Sequence, residues 1–486
     1  MNALSASSDS AVLAKQRRPA WGHVLGSIMV GLLAGVSAPP VQSAVEITQK
    51  PLFLPQDVPG NLILTPSVEW PTINVSAYKE SFVSSGTPYT GIFDSRFCYQ
   101  YNAAPLEQNR YFEPMAMADA NGACTDIYWS GKFLNWASTQ AIEPFRIALT
   151  GGNRVRDTES ETWIQKARQD GQGGTAQFPN RSVTDAAVID GFTPATAAWK
   201  QLQIRIHGLG SRMYFTSTGD LNTTAAQPYV ATAITGLEAL RSPLDQNDLS
   251  TVYELSMRVQ VCKPGFLSAN CVAYSGGHKP EGLIQEYSKR LRYSAFGYLT
   301  DSSMLRDGAV LRARQKFVGP QVHAPLVPAA VNPDREWDAT TGQIFVNPNP
   351  ADALASGVTR SGVINYINKF SEDSLVAHKS IDPVSEMYYA ATRYIRHIGN
   401  VAAYSNGATA VMKDNFPVIT DWDDPIQYYC QANVILGIGD AYTHRDKNLP
   451  GPTNSTDEPA KPAEVVADTA VNVVALTNQV AAMEGI

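Results

Sequence analysis

The sequence predicts an α/β fold built on a central, mostly parallel sheet with helices on both faces. Two apolar segments support this prediction: residues 61–64 read as a short strand, and residues 432–438 form a nearly uninterrupted apolar run that follows helical segments. The run at 432–438 predicts a strand in the middle of a parallel sheet that is covered on both faces. The third observation is the order of elements, in which strands and helices follow one another and long loop-rich insertions separate them.

The strand at residues 61–64 follows a Pro59-Gly60 turn and is expected to end at Pro66. The first long helix is predicted over residues 131–149, where apolar residues recur at helical spacing. Pro144 should kink or restart this helix, and two glycines after it supply a stop. Its predicted buried face consists of Phe133, Trp136, Ala137, Ala141, Phe145 and Leu149.

Residues 157–248 are polar and rich in Gly, Thr and Ala, which predicts an insertion with small elements of its own. Residues 253–261 then alternate apolar and polar side chains, the pattern of one strand with one buried face. The remaining predictions are a helix at 281–290, a strand at 293–299, a loop at 320–360, helices at 361–370 and 383–398, a linker at 449–462 and an amphipathic helix at 463–484.

The first 43 residues differ in kind from the rest. Basic residues within 15–18 precede an apolar run at 24–36 and then small residues, which predicts a secretory signal peptide cleaved near Ser43 or Ala44. The run is shorter than the roughly 20 residues that span a bilayer, which disfavours a membrane anchor. No second apolar run approaches that length, so we expect an exported protein without a transmembrane segment after cleavage.

The formal net charge of the chain is −7, and removal of residues 1–43 makes it more acidic. An acidic chain disfavours nucleic acid as a partner, because the phosphate backbone binds basic surfaces.

All five cysteines lie beyond the signal peptide, where an oxidising compartment lets disulfides persist. Their spacing suggests two disulfides, Cys98 with Cys124 and Cys262 with Cys271. Cys430 would be left over, which implies an absent partner or an intermolecular one.

Sequence motifs of several enzyme classes are absent. There is no Gly-x-Ser-x-Gly downstream of the signal peptide, no His-Glu-x-x-His, no Gly-x-x-x-x-Gly-Lys and no dinucleotide fingerprint. The seven histidines stand alone along the sequence. We therefore expect a protein without enzymatic activity.

Residues 97–136 are rich in aromatic side chains. Aromatic residues dominate interface hot spots, so this segment could be an adhesive surface. The alternative, which we favour, is that it packs the core of a loop-rich insertion.

Four stretches, taken in order, resemble the N-terminal half of the PilY family of type IV pilus assembly proteins and tip-associated adhesins. The most recognisable one is residues 128–137, Tyr-Trp-Ser-Gly-Lys-Phe-Leu-Asn-Trp-Ala, continued by residues 146–154. The others are residues 261–265 with 270–272, residues 279–285 and residues 296–301, and the resemblance covers about residues 50–486.

The resemblance implies a von Willebrand factor A-like domain over residues 44–486, with insertions at about 71–130 and 157–248. Such domains often hold a divalent cation at the C-terminal edge of the sheet, through an Asp-x-Ser-x-Ser loop, a Thr or Ser, and a later Asp. Here the first loop, residues 65–70, reads Thr-Pro-Ser-Val-Glu-Trp and lacks the leading Asp and the paired serines. Oxygen ligands suit Mg²⁺ or Ca²⁺. The candidate ligands are Ser67, Glu69, Ser380, Asp382 and Asp440.

Longer members of the family resemble a two-part protein with a C-terminal β-propeller. This chain ends before any propeller and before the closing strands expected of the A-like domain. The resemblance implies a non-enzymatic pilus biogenesis factor and tip-associated adhesin that acts through protein–protein contacts.

The implied partners are minor pilins, other pilus assembly proteins, and a host or abiotic surface ligand. The implied location is the periplasm, the outer surface or the pilus tip. The alternative is a cation-dependent, ligand-binding surface adhesin that is independent of pili.

Overall fold

The structure is a computed structural model that describes residues 58–67, 69–124, 127–195, 199–217, 221, 237–239, 252–300, 306–372, 378–439, 443–454 and 456–486. The predicted signal peptide, residues 1–43, lies outside these ranges.

The described residues form strands and helices in alternation. The strands are β1 (Gly60–Pro66), β2 (Phe97–Asn102), β3 (Tyr111–Met117), β4 (Trp129–Ser130), β5 (Arg154–Asp157), β6 (Thr162–Gln165), β7 (Arg181–Val183), β8 (Leu202–Arg205), β9 (Arg212–Thr216), β10 (Leu237–Ala239), β11 (Val252–Ser256), β12 (Arg258–Val261), β13 (Cys271–Tyr274), β14 (Gly277–Pro280), β15 (Leu291–Gly297), β16 (Val310–Lys316), β17 (Gln321–Ala324), β18 (Val327–Val331) and β19 (Asn433–Ile438). The helices are α1 (Trp70–Asn74), α2 (Gly131–Ser138), α3 (Ile142–Thr150), α4 (Ala186–Phe192), α5 (Leu283–Glu286), α6 (Pro350–Ser356), α7 (Val363–Lys369), α8 (Val384–Ile395), α9 (Ala402–Ser405), α10 (Ala410–Lys413), α11 (Ala463–Val466) and α12 (Val473–Glu484).

The central sheet has the strand order β16-β15-β1-β19. β1 runs parallel to both of its neighbours, with Leu62 opposite Tyr293 on one side and Val434 on the other. β16 is antiparallel to β15. The predicted α/β class is therefore confirmed, as is the strand at residues 61–64.

Helices α7 and α8 pack against the central sheet. They confirm the helices predicted at 361–370 and 383–398. Their apolar faces and the strands form a continuous group of buried side chains, the sheet core, which contains Ile63, Leu64, Phe296, Ile364, Met387 and Tyr394.

A second group of buried side chains, the aromatic core, joins a six-stranded sheet (β4-β2-β3-β12-β6-β5) and a five-stranded sheet (β10-β11-β9-β8-β7). Its rings meet mainly edge to face; Trp129 and Phe215, for example, have centroids 5.2 Å apart. Most of the aromatic residues at 97–136 lie here, so they pack a core, the alternative favoured from the sequence: Phe97, Tyr99, Tyr101, Phe112, Trp129, Phe133 and Trp136 are all buried.

The single strand predicted at residues 253–261 is wrong. β11 pairs with β9 in the five-stranded sheet, and β12 pairs with β6 and β3 in the six-stranded sheet. Met257 lies between them, and its backbone N–H donates to Ser211 while its carbonyl accepts from Lys166. Alternation of apolar and polar residues indicates which side chains are buried, but it does not indicate which strand is the neighbour. The alternation continues from β11 into β12, so the pattern did not show that the chain changes sheet at Met257.

The predicted helix at 131–149 is two helices. The helix is interrupted between Ser138 and Ile142, where the Gln140 backbone N–H donates to the Glu143 carboxylate. Phe145, which was placed on the buried face, is 45% exposed. The restart changes the helical phase, so the spacing counted from Phe133 no longer applies beyond the break.

The strand predicted at 432–438 is present as β19, but in the described part of the chain it forms the edge of the sheet rather than its middle. Val434 is 52% exposed and Leu436 is 38% exposed. Apolar composition cannot distinguish an edge strand from a central one, because both contain β-branched and aliphatic residues.

Other predicted boundaries also change. The loop at 320–360 contains the β17–β18 hairpin and α6, the helix at 281–290 shortens to α5, and the helix at 463–484 separates into α11 and α12. No helix within the described ranges has the length and apolar character needed to cross a bilayer.

Candidate functional site at the carboxyl end of the parallel strands

The loop after β1 leaves the carboxyl end of the central parallel strand and enters α1. Its backbone contacts the segment that precedes α8: Glu69 forms an isolated parallel bridge with Lys379, and the Trp70 N–H donates to the Lys379 carbonyl at 3.0 Å. Loops at this edge of a parallel sheet are common positions for binding sites.

Glu69 is fully buried in this loop. Its carboxylate accepts hydrogen bonds from the hydroxyls of Ser67 and Thr72. Burial raises the pKa of Glu69 to about 7, and the nearby Asp382 adds to the increase. The fold therefore keeps a carboxyl group that is partly protonated at neutral pH.

Tyr298 and Lys379 lie beside this carboxyl group. The Tyr298 hydroxyl is 3.4 Å from the Ser67 Oγ, and the Lys379 ammonium is 5.6 Å from the centre of the Tyr298 ring. The Lys379 Nζ also donates to the Arg306 carbonyl at 2.8 Å. Lys379 thus places a positive charge at this edge of the sheet, next to the Tyr298 ring and near Asp307.

The other candidate ligands have partners of their own. Asp382 accepts from the His444 backbone N–H at 3.0 Å, and its Oδ1 lies 2.9 Å from the His444 Nδ1. Ser380 accepts a hydrogen bond from Gln172 at 3.1 Å. Asp440 lies outside the described residues, so its proposed role stays a prediction.

Three further carboxyl groups, none of which was among the candidate ligands, interact electrostatically beside this edge: Asp307, Glu386 and Asp446. Glu386 accepts backbone N–H groups from Gly308 at 2.8 Å and Asn448 at 2.9 Å. Burial, with Asp307 nearby, raises the pKa of Glu386 to about 9. Asp446 accepts the N–H groups of Ser385 and Glu386 and so caps the first turn of α8.

The sequence signals for these groups were an acidic residue, Glu386, in the first turn of α8, and the spaced oxygen-bearing side chains of residues 439–448, which include Asp446. Asp307 and Asp446 stand far from Glu386 in the sequence, and no motif links them.

The described side chains of this site form a buried polar network, and the predicted cation site stays a prediction. Within the described ranges no group of three or more His, Cys, Asp or Glu residues is arranged to hold a metal ion. Both oxygens of Glu69 already accept hydroxyl groups. The network joins the loop after β1, the segment before α8 and residues 443–448.

Comparison with known proteins identifies the family. Residues 76–227 match a family model described as the small alpha/beta domain of PilY1 homologs. The chain is also 48% identical, over 467 residues and 92% of its length, to a protein named type IV pilus biogenesis factor PilY1 homolog from Xylella fastidiosa strain Temecula1. The chain belongs to the PilY family.

A second PilY relative of the same organism, with the same name, is 24% identical over 58% of the chain. The chain spans 37% of the length of the first relative and 18% of the length of the second. No solved structure matches the chain.

The family model covers much of the aromatic core. In that region Cys98 on β2 forms a disulfide with Cys124, with Cα atoms 5.7 Å apart. The segment at 128–137, on which the PilY resemblance rested, forms β4 and α2, and its Trp129 and Phe133 are fully buried. The most recognisable segment of the PilY resemblance therefore contributes side chains to the aromatic core.

The second disulfide joins Cys262, at the end of β12, to Cys271, at the start of β13, with Cα atoms 5.5 Å apart. Both bonds join the pairs that the spacing suggested. Cys430 is an exposed free thiol in the turn before β19.

A largely apolar cavity of about 800 Å³ lies beside the Cys262–Cys271 disulfide. Its walls include Phe97, Phe266 and Leu283, and the Asp94–Arg96 ion pair borders it.

Proposed function

We propose that this chain acts as a type IV pilus biogenesis factor. The observation that carries the proposal is the 48% identity, over 92% of the chain, to a protein named as such a factor. The absence of enzyme motifs from the sequence and the hydrogen-bonded, lysine-containing network after β1 support a role through protein–protein contacts rather than catalysis.

The finer proposal is that the chain is exported through the signal peptide at residues 1–43, contacts minor pilins and other pilus assembly proteins, and acts at the pilus tip as an adhesin. An oxidising compartment would maintain the two disulfides, which supports export. The predicted signal peptide supports the same location.

The test is surface piliation in an in-frame deletion strain. Pili are sheared from the cells and the major pilin is measured by immunoblot, with and without the 486-residue chain restored. We expect loss of sheared pilin in the deletion strain and recovery on restoration. Unchanged piliation in the deletion strain would contradict the proposal.

A chain without residues 1–43 is the matched control for export. It should accumulate inside the cell and fail to restore pili, although its folded part is unchanged. The adhesin role is tested separately by adherence of the piliated, restored strain. Normal piliation with unchanged adherence in the presence of excess purified chain, which would compete for the adhesive target, would remove the adhesin role and leave the assembly role.

A further inference from the structure

A cavity of about 490 Å³ opens beside the β17–β18 hairpin. Three segments that are distant in sequence line it: residues 288–289 after α5, the hairpin itself, and the loop at residues 335–340. The proposed pilus role and the network after β1 use none of these residues.

Two cations line this cavity, Lys289 and Arg335. Within the described ranges neither of them forms an ion pair. Arg335 has only a long hydrogen bond to the Asn332 carbonyl, at 3.4 Å, and a stacking contact with the Phe345 ring at 5.5 Å. In a chain with a net charge of −7, this is a local excess of positive charge.

One carboxyl group, Asp338, also lines the cavity. Asp338 Oδ1 accepts the backbone N–H groups of Thr340 at 2.9 Å and Thr341 at 2.8 Å. These hydrogen bonds lower the pKa of Asp338, and the nearby Arg335 adds to the decrease. One carboxylate faces two cationic side chains, so the lining keeps a net positive charge for a ligand.

His323 on β17 adds a ring nitrogen that lacks a hydrogen-bond partner. Its Nε2 is buried and has no hydrogen-bond partner in the described structure. Burial, together with the nearby Lys289, lowers the pKa of His323, so the ring is neutral at pH 7. A ligand oxygen next to the ring would relieve the cost of this buried, unsatisfied nitrogen.

The hairpin beside the cavity exposes several apolar side chains. Leu326 is 76% exposed, and Val331, which also lines the cavity, is 77% exposed. Apolar surface of this kind, next to polar groups, marks protein interaction sites. Pro328 lies within β18 and has no N–H, so the hairpin is a poor template for an added strand and offers side-chain packing instead.

We propose that this cavity and hairpin bind an apolar polypeptide segment that carries a carboxylate. The carboxylate would lie between Lys289 and Arg335, and apolar side chains would cover Leu326 and Val331. A polypeptide is favoured over an acidic saccharide because only apolar side chains gain free energy by covering the hairpin. The inference rests on the proposed function in one respect: it takes the owner of this segment to be a protein partner in pilus assembly.

The test is fluorescence anisotropy with the oxidised, purified chain and a labelled octapeptide of alternating Val and Glu. Its twin, with Lys in place of Glu, is the control ligand. We expect Arg335→Ala to weaken binding about tenfold, as for a lost charge-assisted hydrogen bond, and Lys289→Ala about threefold. Leu326→Ser should weaken it about threefold through lost apolar contact.

Arg290→Ala is the matched control variant, because Arg290 follows Lys289 directly but does not line the cavity. It should change binding less than about twofold. The four altered side chains are near the surface, so an unchanged melting temperature should accompany each variant.

Three results would overturn the proposal: equal binding of the Lys twin, unchanged binding in Lys289→Ala with Arg335→Ala, or displacement of the peptide by glucuronate or inorganic phosphate at equal concentration. The last result would assign the cavity to a small anion.

The piliation assay separates this inference from the proposed function. If the Lys289→Ala, Arg335→Ala chain loses peptide binding yet restores pili, the cavity does not receive the pilus partner, and the proposed function stands. If the unaltered chain fails to restore pili, the proposed function fails. The binding assay alone then shows whether the cavity binds the acidic peptide.

Discussion

Glu69 is a carboxyl group that the fold has removed from water without giving it a cation as a direct partner. Two hydroxyl groups satisfy its oxygens, but they do not compensate for the lost hydration of the charged form. The pKa of about 7 follows from that imbalance. Glu386 shows the same effect more strongly, because its neighbours Asp307 and Asp446 are also carboxyl groups.

This imbalance predicts a pH dependence of stability. The folded pKa of Glu69 is raised from 4.5 to about 7, so the folded state binds more protons than the unfolded state between these values. The stabilising contribution is complete below pH 4.5 and is lost as the pH rises through about 7. The free energy of unfolding should fall by about 3 kcal/mol over this range, because each pKa unit corresponds to about 1.36 kcal/mol.

Glu69→Gln should remove this part of the dependence, because the Ser67 and Thr72 hydroxyls can rotate to accept from an amide. Urea unfolding at pH 5 and pH 8 would show a smaller difference in the free energy of unfolding than in the unaltered chain. Glu159→Gln, at an exposed position, should leave the difference unchanged. An unaltered difference in Glu69→Gln would show that Glu69 does not titrate in this range.

At the scale of elements, two helices end in the same way but in different surroundings. Gly151 after α3 and Gly357 after α6 both adopt the left-handed conformation, with φ of 83° and 65°. A Cβ at Gly151 would lie 2.3 Å from the Pro280 carbonyl oxygen, whereas a Cβ at Gly357 would meet nothing within 4 Å. The end of α3 is therefore packed against β14.

Gly357→Ala should cost about 1 kcal/mol, the usual penalty for a non-glycine residue in the left-handed region. Gly151→Ala should cost about 3 kcal/mol, because the steric overlap adds to that penalty. Chemical unfolding of the two variants measures both values. Equal costs would mean that the strand end moves away freely.

The two disulfides close loops of different length, 26 residues for Cys98–Cys124 and 9 residues for Cys262–Cys271. The chain-entropy relation gives about 3.5 kcal/mol for the longer loop and about 2.6 kcal/mol for the shorter one. Paired serine substitutions should therefore lower the melting temperature more at Cys98 and Cys124. Cys430→Ser, at the free thiol, should have no effect, and the reverse order would contradict the entropic account.

For the whole molecule, α3 connects the two cores. Ile142 and Leu149 belong to the sheet core, whereas Ile147 packs against the aromatic core. Arg146 on the same helix is buried and donates to the Ile367 and Phe370 carbonyls at 3.0 and 3.1 Å. Its ion pair with Glu372, at 2.8 Å, joins residues that are 226 positions apart.

Arg146→Ala should destabilise the chain by about 3–5 kcal/mol, because it leaves Glu372 without its cation and two carbonyl groups without their donor. Arg156→Ala is the control: its ion pair with Glu161, at 2.7 Å, is partly exposed and should contribute less than about 1 kcal/mol. Thermal unfolding with intrinsic fluorescence measures both. A small effect of Arg146→Ala would show that the two cores do not depend on this contact.

Local sequence patterns correctly predicted the helices and strands whose apolar spacing keeps one period from end to end. β1, α7 and α8 were found because their apolar spacing is uninterrupted. The helix at 131–149 and the strand at 253–261 were misread where a distant partner changed the local geometry: Ser76 bridges Gln140, and β9 ends its pairing with β11 beside Met257. At the candidate site, Ser67 and Glu69 were named because the resemblance to an A-like domain implies a ligand loop after the first strand, whereas no sequence pattern links Asp307 with Glu386.

Residue types and their spacing were enough to predict the α/β class, to show the resemblance to the PilY family and to suggest the two cysteine pairs that are bonded in the structure. Three features became visible only in the folded chain: β19 is an edge strand among the described residues, Glu69 has a pKa of about 7, and Lys289 and Arg335 line one cavity. The physical reason is that burial and charge proximity depend on contacts between residues far apart in sequence, and spacing along the chain does not encode those contacts.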